Sequence, residues 1–544
     1  MTDPSSDAAF PRIDGAPVNP DASPLRLRVA HVDQANTVWA AGDGDLWPSA
    51  WAGDGALYTA AGDGTGFARH GWSDILVGRI DGDPVSGVTG TPLAAGDAIA
   101  PIWDPPRFNR KPTGMVAVDG DGDGHDELYL AVQDLRCGGE EGVFDEAPTA
   151  TVVRSADDGR TWTWGDEPLF RDHVFTTVMF LDLGQSHGGS PWVYAYGLDG
   201  NWRTSFTRIV SDPTELFLAR VPAASVLDRA AWEFFAGRDA GGAPRWSAAI
   251  AAKAPVLVDE RRMYPVPPPD GSRSGFTTIA QGGVVWNPGL GRYLYSSWSE
   301  YTHEFFEAPA PWGPWRHLHS ADYGSFPWQG PRSPLAHHGG YAPTMPSKFI
   351  STDGCDLWLQ SNWFFEAGSR GGRAYTFGLR RVRFDPGTDA VTPDSADNLA
   401  LSPDTWPLVS RVADGQTSVL NDGRRDLAED SSRGPGSGDD VWGYQWPSPR
   451  RFDRVVYAPG GQDSMGGWFA DGPRVEVRVE GEWREVAASV TPAYRNDFTA
   501  LEEREYVFDF AEVCADGVRL TGTPGGPMRY TSITELEVWR TGGA

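Results

Sequence analysis

DLWPSAWAGDGALYTAAGDG, residues 45–64, reads as a single β-hairpin. Trp47 to Ala52 can run extended, Gly53-Asp54-Gly55 supplies turn residues that tolerate positive φ, and Ala56 to Gly62 alternates back. A hairpin returns the chain to the end where it began. Asp45, entering the first strand, and Asp63, leaving the second, are therefore expected near each other at one rim. Two carboxylates on a rigid rim are minimal equipment for acid/base chemistry on a glycosidic bond. A polar turn contains the same residues, so the rest of the chain must decide between the two.

The unit of strand, tight turn and second strand recurs at Thr113–Val132, Thr176–Tyr196, Phe276–Trp298 and Tyr341–Trp363. With residues 45–64 that makes five copies, each followed by strand-like segments such as DILVGRI, ELFLARV or GLRRVRF. Five such units spaced roughly 60–100 residues apart predict a five-bladed β-propeller over residues 26–410, the competing arrangement being unrelated hairpins in a sandwich. Ser225–Gly237 (SVLDRAAWEFFAG) reads as a helical insertion in the third unit. Residues 1–25 read as a disordered, Pro/Asp/Ser-rich lead-in. The polar, Gly-rich segment Asp422–Asp440 reads as a loop, and short strands return from Val441 to Trp539. Residues 411–544 therefore form a second, β-sandwich domain in this reading.

Composition agrees with an all-β fold. The 544 residues include 66 Gly, 44 Pro and 24 Trp, and long apolar helical stripes are nearly absent. Lys and Arg number 46 against 74 Asp and Glu, a formal charge of −28. That balance argues against nucleic acid or an anionic membrane as partner. A neutral polysaccharide fits well, and a polyanionic one fits only where a local basic pocket exists. The sequence leaves the oligomeric state open. Cys137, Cys355 and Cys514 suit neither a disulfide framework nor a zinc site and read as separate thiols. The first residues lack the basic and apolar regions of a signal peptide, and no run approaches the length of a membrane span. A cytoplasmic chain, or a secreted one without its leader, would look the same.

If the first strand of each blade lines a central channel, equivalent strand ends collect on one face. That places Asp45 and Asp63 from the first unit, Lys111 and Asp134 from the second, and His173 and Asp199 from the third. Glu300 and Tyr301 come from the fourth, and His337, His338, Tyr341, Asn362 and Trp363 from the fifth. Carboxylates or imidazoles move protons, and aromatic faces stack on sugar rings. Asp45, Asp63 and Glu300 are the expected catalytic acids. Lys111, His173, Tyr301, His337, His338, Tyr341, Asn362 and Trp363 are the expected substrate contacts. A second chemistry is also open: His337, His338 or Tyr341 as base, with Arg332 and Lys348 neutralising a uronate, would suit β-elimination.

Asp119-Gly-Asp121-Gly-Asp123-Gly-His125-Asp126-Glu127 places carboxylates at alternate positions around glycine turns, as a structural calcium loop would. The expected ligand set is Asp119, Asp121, Asp123, His125 and Glu127, in a turn opposite the proposed pocket. It resembles the calcium loops of integrin-type propeller repeats. Ser155-Ala-Asp157-Asp-Gly159-Arg-Thr161-Trp162 matches the Asp-box of sialidase-like propellers, a self-hydrogen-bonded turn with its Trp tucked inward.

Two longer resemblances accompany these motifs. RFDRVVY, GGWFADGPRVEVRVEGEW, ADGVRLTGTPGG and SITELEVW resemble the discoidin-type sandwich of coagulation-factor C domains and related carbohydrate-binding modules. The resemblance implies sugar binding at the loops of one sandwich end, where Trp468 is the expected aromatic contact, with Phe469 and Arg474 near it. AWAGDGALYTAAGDG, TTIAQGGVVWNPGLGRYLY, EAPAPWGPW and YAPTMPSKFISTDGCDLWLQSNW look like a bacterial propeller family long described only by its unknown function. Its wider group includes endo-acting D-arabinanases. That likeness implies a glycoside hydrolase acting on an arabinan-like polysaccharide. A glycan-binding propeller without catalysis is the third possibility.

Overall fold

In the third unit, the segment read as helical is not a helix. Two single 3-10 turns, Ala223–Ser225 and Arg229–Ala231, lead into a strand, Glu233–Arg238, which pairs with Glu215–Pro222. Asp228 caps the second turn by accepting from the Ala230 N–H, and Trp232 and Phe234 become fully buried. Tertiary pairing has overridden helix propensity here. Elsewhere the computed structural model follows the same rule. It describes residues 10–20, 31–32, 38–40, 42–138, 142–239, 241–263, 275–299, 302–322, 340–364, 375–384, 398–402, 405–410, 417–421, 423, 425, 428–432, 438–461 and 463–541. Among these the chain is all-β, and its helices are short 3-10 turns.

Five antiparallel sheets follow in chain order. The first runs from Asp43–Asp45 to Gly87–Ala95, the second from Phe108–Val118 to Thr149–Ser155, and the third from Thr177–Asp182 to Pro255–Val258. The fourth spans Gly283–Asn287 to Arg316–Asp322. The fifth holds Asp356–Phe364 and Tyr375–Arg383, with Thr344 bridged to Gln360 on its inner side. Its outer positions are filled from the other end of the chain, by His31–Val32 and Val38–Trp39.

Inner strands neighbour one another in sequence. Phe108–Val118 lies against Ser49–Trp51 and Thr177–Asp182, and Thr177–Asp182 pairs in parallel with Gly283–Asn287. Gly283 packs on Thr344, and Tyr375–Arg383 returns to Asp43–Asp45. Each adjacent pair of sheets shares a core. Tyr58 and Trp162 lie between the first two, Phe170 and Trp232 between the second and third, and Tyr196 and Tyr293 between the third and fourth. Phe305 and Leu357 join the fourth to the fifth, and Trp47 and Phe377 join the fifth to the first. Burying each such side chain stabilises by about 1.5–3 kcal/mol. This connectivity is the one a five-bladed propeller requires.

The Asp-box reading matches its turn. Asp157 accepts from Thr161 N at 2.8 Å and Thr161 Oγ1 at 2.7 Å, Ser155 Oγ accepts from Gly159 N at 2.9 Å, and Trp162 is buried. The lead-in needs correction for residues 10–20, which form a hairpin, Arg12–Ile13 with Ala16–Pro17, around an Asp14-Gly15 turn. Tyr293 OH donates to Pro17 O at 2.7 Å and Phe10 packs edge-on to Trp286, so the segment covers the third and fourth sheets.

In the C-terminal unit two long strands, Asp440–Pro459 and Tyr506–Gly522, break register between Gln445 and Arg450 and turn a corner. Their halves serve two layers, one with Trp406–Val409 and Arg474–Val479, the other with Ser532–Trp539 and Ser489–Thr491. Trp442, Tyr444, Tyr457 and Val518 fill the space between. Two sequence readings shift. Trp406–Val409 belongs to this sheet although it lies before residue 411, and Glu429–Asp430, inside the segment read as a loop, pairs with Ile533 and Ser532.

Candidate active site

Asp45 lies at the end of its short strand and Asp63 lies within Leu57–Gly66, with Asp45 opposite Gly62 in register. A lysine from the second sheet enters between them. Lys111 Nζ stands 2.6 Å from Asp63 Oδ2 and 3.4 Å from Asp45 Oδ1, and its side chain is 2 % exposed. Gly62 makes room for the group, since a Cβ there would lie 2.4 Å from Asp45 Oδ1 and 2.9 Å from Lys111 Nζ. Burial pushes the Asp45 carboxyl up to about 6, helped by the charge of Asp63 and opposed by Lys111. Asp63 Oδ1 is buried with no hydrogen-bond partner among the described residues.

Beside this group stand aromatic rings from the third, fourth and fifth sheets. Trp202, Trp298 and Tyr341 form one cluster with Leu46 and Leu135, and Tyr375 packs against it. Trp298 lies 5.0 Å from Tyr341 and 5.6 Å from Trp202 between ring centroids. Burial, then the negative field of Asp45 and Asp63, raises the Tyr375 phenol far above its ordinary range. Asn362 Oδ1 accepts from Tyr341 N at 3.2 Å. Three sheets are tied together by glutamines. Gln133 accepts from Thr177 Oγ1 at 2.8 Å, and Gln281 Nε2 donates to Pro112 O at 2.9 Å. The Asn201 amide, Trp298 Nε1 and Asn362 Nδ2 are buried without partners among the described residues. Buried polar groups normally find partners, so these are groups a polar ligand could satisfy. Farther along the axis the inner strands leave a cavity of only about 20 Å³ beside Thr113 and Met179, room for a water and not a sugar.

Asp45, Asp63, Lys111, Tyr341 and Asn362 are thus brought together as expected. His173 belongs to another group, its Nε2 lying 3.3 Å from Glu146 Oε1, with Arg136 on the same carboxylate. Asp134 accepts from Trp103 N, and Asp199 pairs with Lys253 at 2.8 Å. Glu300, Tyr301, His337, His338 and Arg332 lie outside the described residues, as does the side chain of Trp363. Lys348 corrects the elimination set. Its Nζ donates to Gly55 O at the hairpin turn, on the face away from Tyr341. Trp468 is also corrected, for it is 7 % exposed and packs on Gly525, while Phe469 lies in the sandwich core. Sequence reading missed Trp202, Trp298 and Tyr375. Trp298 and Tyr375 sit at strand ends and Trp202 in the loop that follows Trp192–Leu198, beside the chosen Asp199, and that placement was the available signal.

On the opposite face Asp119, Asp121 and Glu127 bring carboxylate oxygens within 4.8 Å of one another. Arg154 already contacts Asp121, at 3.1 Å, and Glu127, and Asp119 accepts from Gly122 N and Gly124 N. Asp123 accepts from the His125 N–H, and the His125 ring lies 3.3 Å from Asp158. Three of the five expected ligands therefore fit a cation, in competition with Arg154.

No family model and no curated protein matches the chain. Among solved structures, a provisionally assigned hydrolase from Bacteroides ovatus is 12% identical over 71% of this chain and 97% of its own, with a TM-score of 0.39. A family 32 carbohydrate-binding module of Clostridium perfringens NanJ, in complex with galactose, is 13% identical over 26% of this chain and 98% of its own, TM-score 0.22. A third, from a family 31 glycoside hydrolase of the same organism, is 19% identical over 27% and 97%, TM-score 0.23.

Proposed function

We propose that the protein is a carbohydrate-active enzyme that hydrolyses glycosidic bonds of a polysaccharide, with arabinan-like furanosides among its candidate substrates. The observation carrying this reading is one buried Lys111 ammonium shared by Asp45 and Asp63 beside an aromatic wall. Burial raises the Asp45 carboxyl to about 6, so below that pH it carries a proton it can give. Asp63, the closer partner, takes the ion pair and serves as nucleophile or base. Asp45, with its raised pKa, protonates the leaving oxygen. Because their oxygens meet one Nζ, the carboxylates lie no more than about 6 Å apart, closer to the spacing of retaining enzymes than of inverting ones. The aromatic rings supply stacking surface for the sugar.

The C-terminal sandwich is proposed to bind carbohydrate and hold the enzyme on its polymer. The Asp119–Glu127 loop is proposed to take a structural calcium ion, drawing Asp121 and Glu127 from Arg154. The test is incubation with a panel of plant, algal and mycobacterial polysaccharides. New reducing ends without absorbance at about 235 nm indicate hydrolysis, and unsaturated products absorbing there indicate elimination. Retained sugar with no product from any substrate leaves a binding propeller in place of the enzyme.

A further inference from the structure

A cleft of about 950 Å³ separates the ring from the sandwich. Its ring wall is built from the Asp259–Arg262 segment and from Trp315, Arg316 and His317, and its sandwich wall from Trp446, Arg450, Arg478, Trp483 and Asp516. The walls are fixed to each other beside it. The Trp406 ring lies 3.8 Å from that of His317 in a tilted contact, Arg261 lies over the same indole at 3.9 Å, and Thr417 Oγ1 donates to Ser320 O at 3.1 Å. The cleft is therefore a formed space of the size that binds small ligands.

Its chemistry opposes that of the whole chain. Five arginines (261, 262, 316, 450 and 478) face three carboxylates, Asp259, Glu260 and Asp516, in a protein of net charge −28, and a fourth carboxylate, Asp212, pairs with Arg262 at 2.6 Å. Asp259 holds Arg261 through two contacts of 2.8 Å, and Asp516 holds Arg478 at 2.9 Å, which orients both guanidinium groups. Arg316 has no ion-pair partner among the described residues, and burial keeps His317 neutral. Trp315 and Trp446 are buried, their indole N–H groups bonded to Pro311 O and Thr405 Oγ1, and they form the apolar floor of the cleft, while Trp483 is half-buried and is the ring a ligand can reach. Oriented arginines beside tryptophans recognise a ring that carries anionic groups, by charge-assisted hydrogen bonds and stacking.

We infer that this junction is a second binding site, distinct from the Asp45–Asp63 centre, and that it takes an acidic oligosaccharide bearing carboxylate or sulfate groups. It does not depend on the proposed hydrolysis. The full chain is titrated calorimetrically with a tetragalacturonate, a sulfated tetrasaccharide and a neutral xylotetraose. The expected result is binding of one or both acidic probes, weakening as salt rises, with the neutral sugar bound about tenfold less tightly or not at all. Arg316→Ala and Trp483→Phe should each weaken acidic-probe binding by about tenfold while leaving the melting temperature near that of the parent. Asp45→Asn should leave it unchanged. Absence of acidic-probe binding, equal binding of xylotetraose, or full affinity in both folded cleft variants overturns the inference. Loss of binding in Asp45→Asn would transfer it to the other site.

Discussion

Lys111 determines what the two rim acids can do. A single ammonium lies within reach of both carboxylates, and burial raises the carboxyl of the more buried Asp45 to about 6, so Asp45 keeps its proton only below that pH. Asp45→Asn and Asp63→Asn are each expected to lower turnover about 10²–10⁴-fold while the melting temperature moves little, measured on whichever polysaccharide yields product. With Asp45 as general acid, activity should fall as pH rises through about 6, and the residual rate of Asp45→Asn should lack that limb. Lys111→Met is expected to act differently. It leaves buried Asp45 and half-buried Asp63 without their cation and should destabilise the fold by about 3–5 kcal/mol, read as a fall in unfolding midpoint.

At the level of elements, the hairpins were the legible part. Alternation and glycine turns located the inner strands, and the Ser155–Trp162 turn could be read bond by bond. Three things were hidden for physical reasons. Phe234 and Phe235 fit a helical stripe as well as a strand, and only the partner strand Glu215–Pro222 decides between them. Glu429–Asp430 is too short and polar to announce a strand. Trp468 sits in a loop sequence rich in glycine, yet its ring packs on distant Gly525, where a Cβ would lie 2.3 Å from Trp468 Nε1. The acid pair followed from hairpin geometry, but the lysine between them depends on a neighbouring sheet. The acidic turn offers a test at this scale. Added calcium should raise the melting temperature and chelation should lower it, and Asp121→Ala should remove the response. A calcium effect on activity that survives in that variant would place an ion elsewhere.

Across the molecule the junction couples the two units. Glu304 is fully buried beneath it, hydrogen-bonded by Ser320 at 2.5 Å and by Thr302, and it lies 3.0 Å from His317 Nε2, near Asp259 and Arg261. Burial pushes its carboxyl up to about 8 from 4.5, so the folded protein holds a proton that the unfolded chain releases. The sign follows: the stability Glu304 contributes is fully present below about 4.5, declines as pH rises, and is lost above about 8. Glu304→Gln should flatten that decline in melting experiments. Removing residues 398–544 should lower the melting temperature, because Phe276 and His317 lose their cover, yet keep the rate on short soluble substrates. Retention on insoluble polysaccharide should be lost. A folded ring inactive on short substrates would make the sandwich part of the active site.

The strands His31–Val32 and Val38–Trp39 complete the sheet that ends at Arg383, and this sets a timetable for the chain as it is made. A ribosome adds about 5–20 residues per second, so these strands emerge tens of seconds before their partner exists. Until then the early sheets have no closing neighbour, and afterwards the edge of Tyr375–Arg383 is protected only if the waiting segment reaches it first. The beginning of the chain acts as a latch that only the finished ring can engage, and slow or interrupted translation is where this fold is most exposed to aggregation.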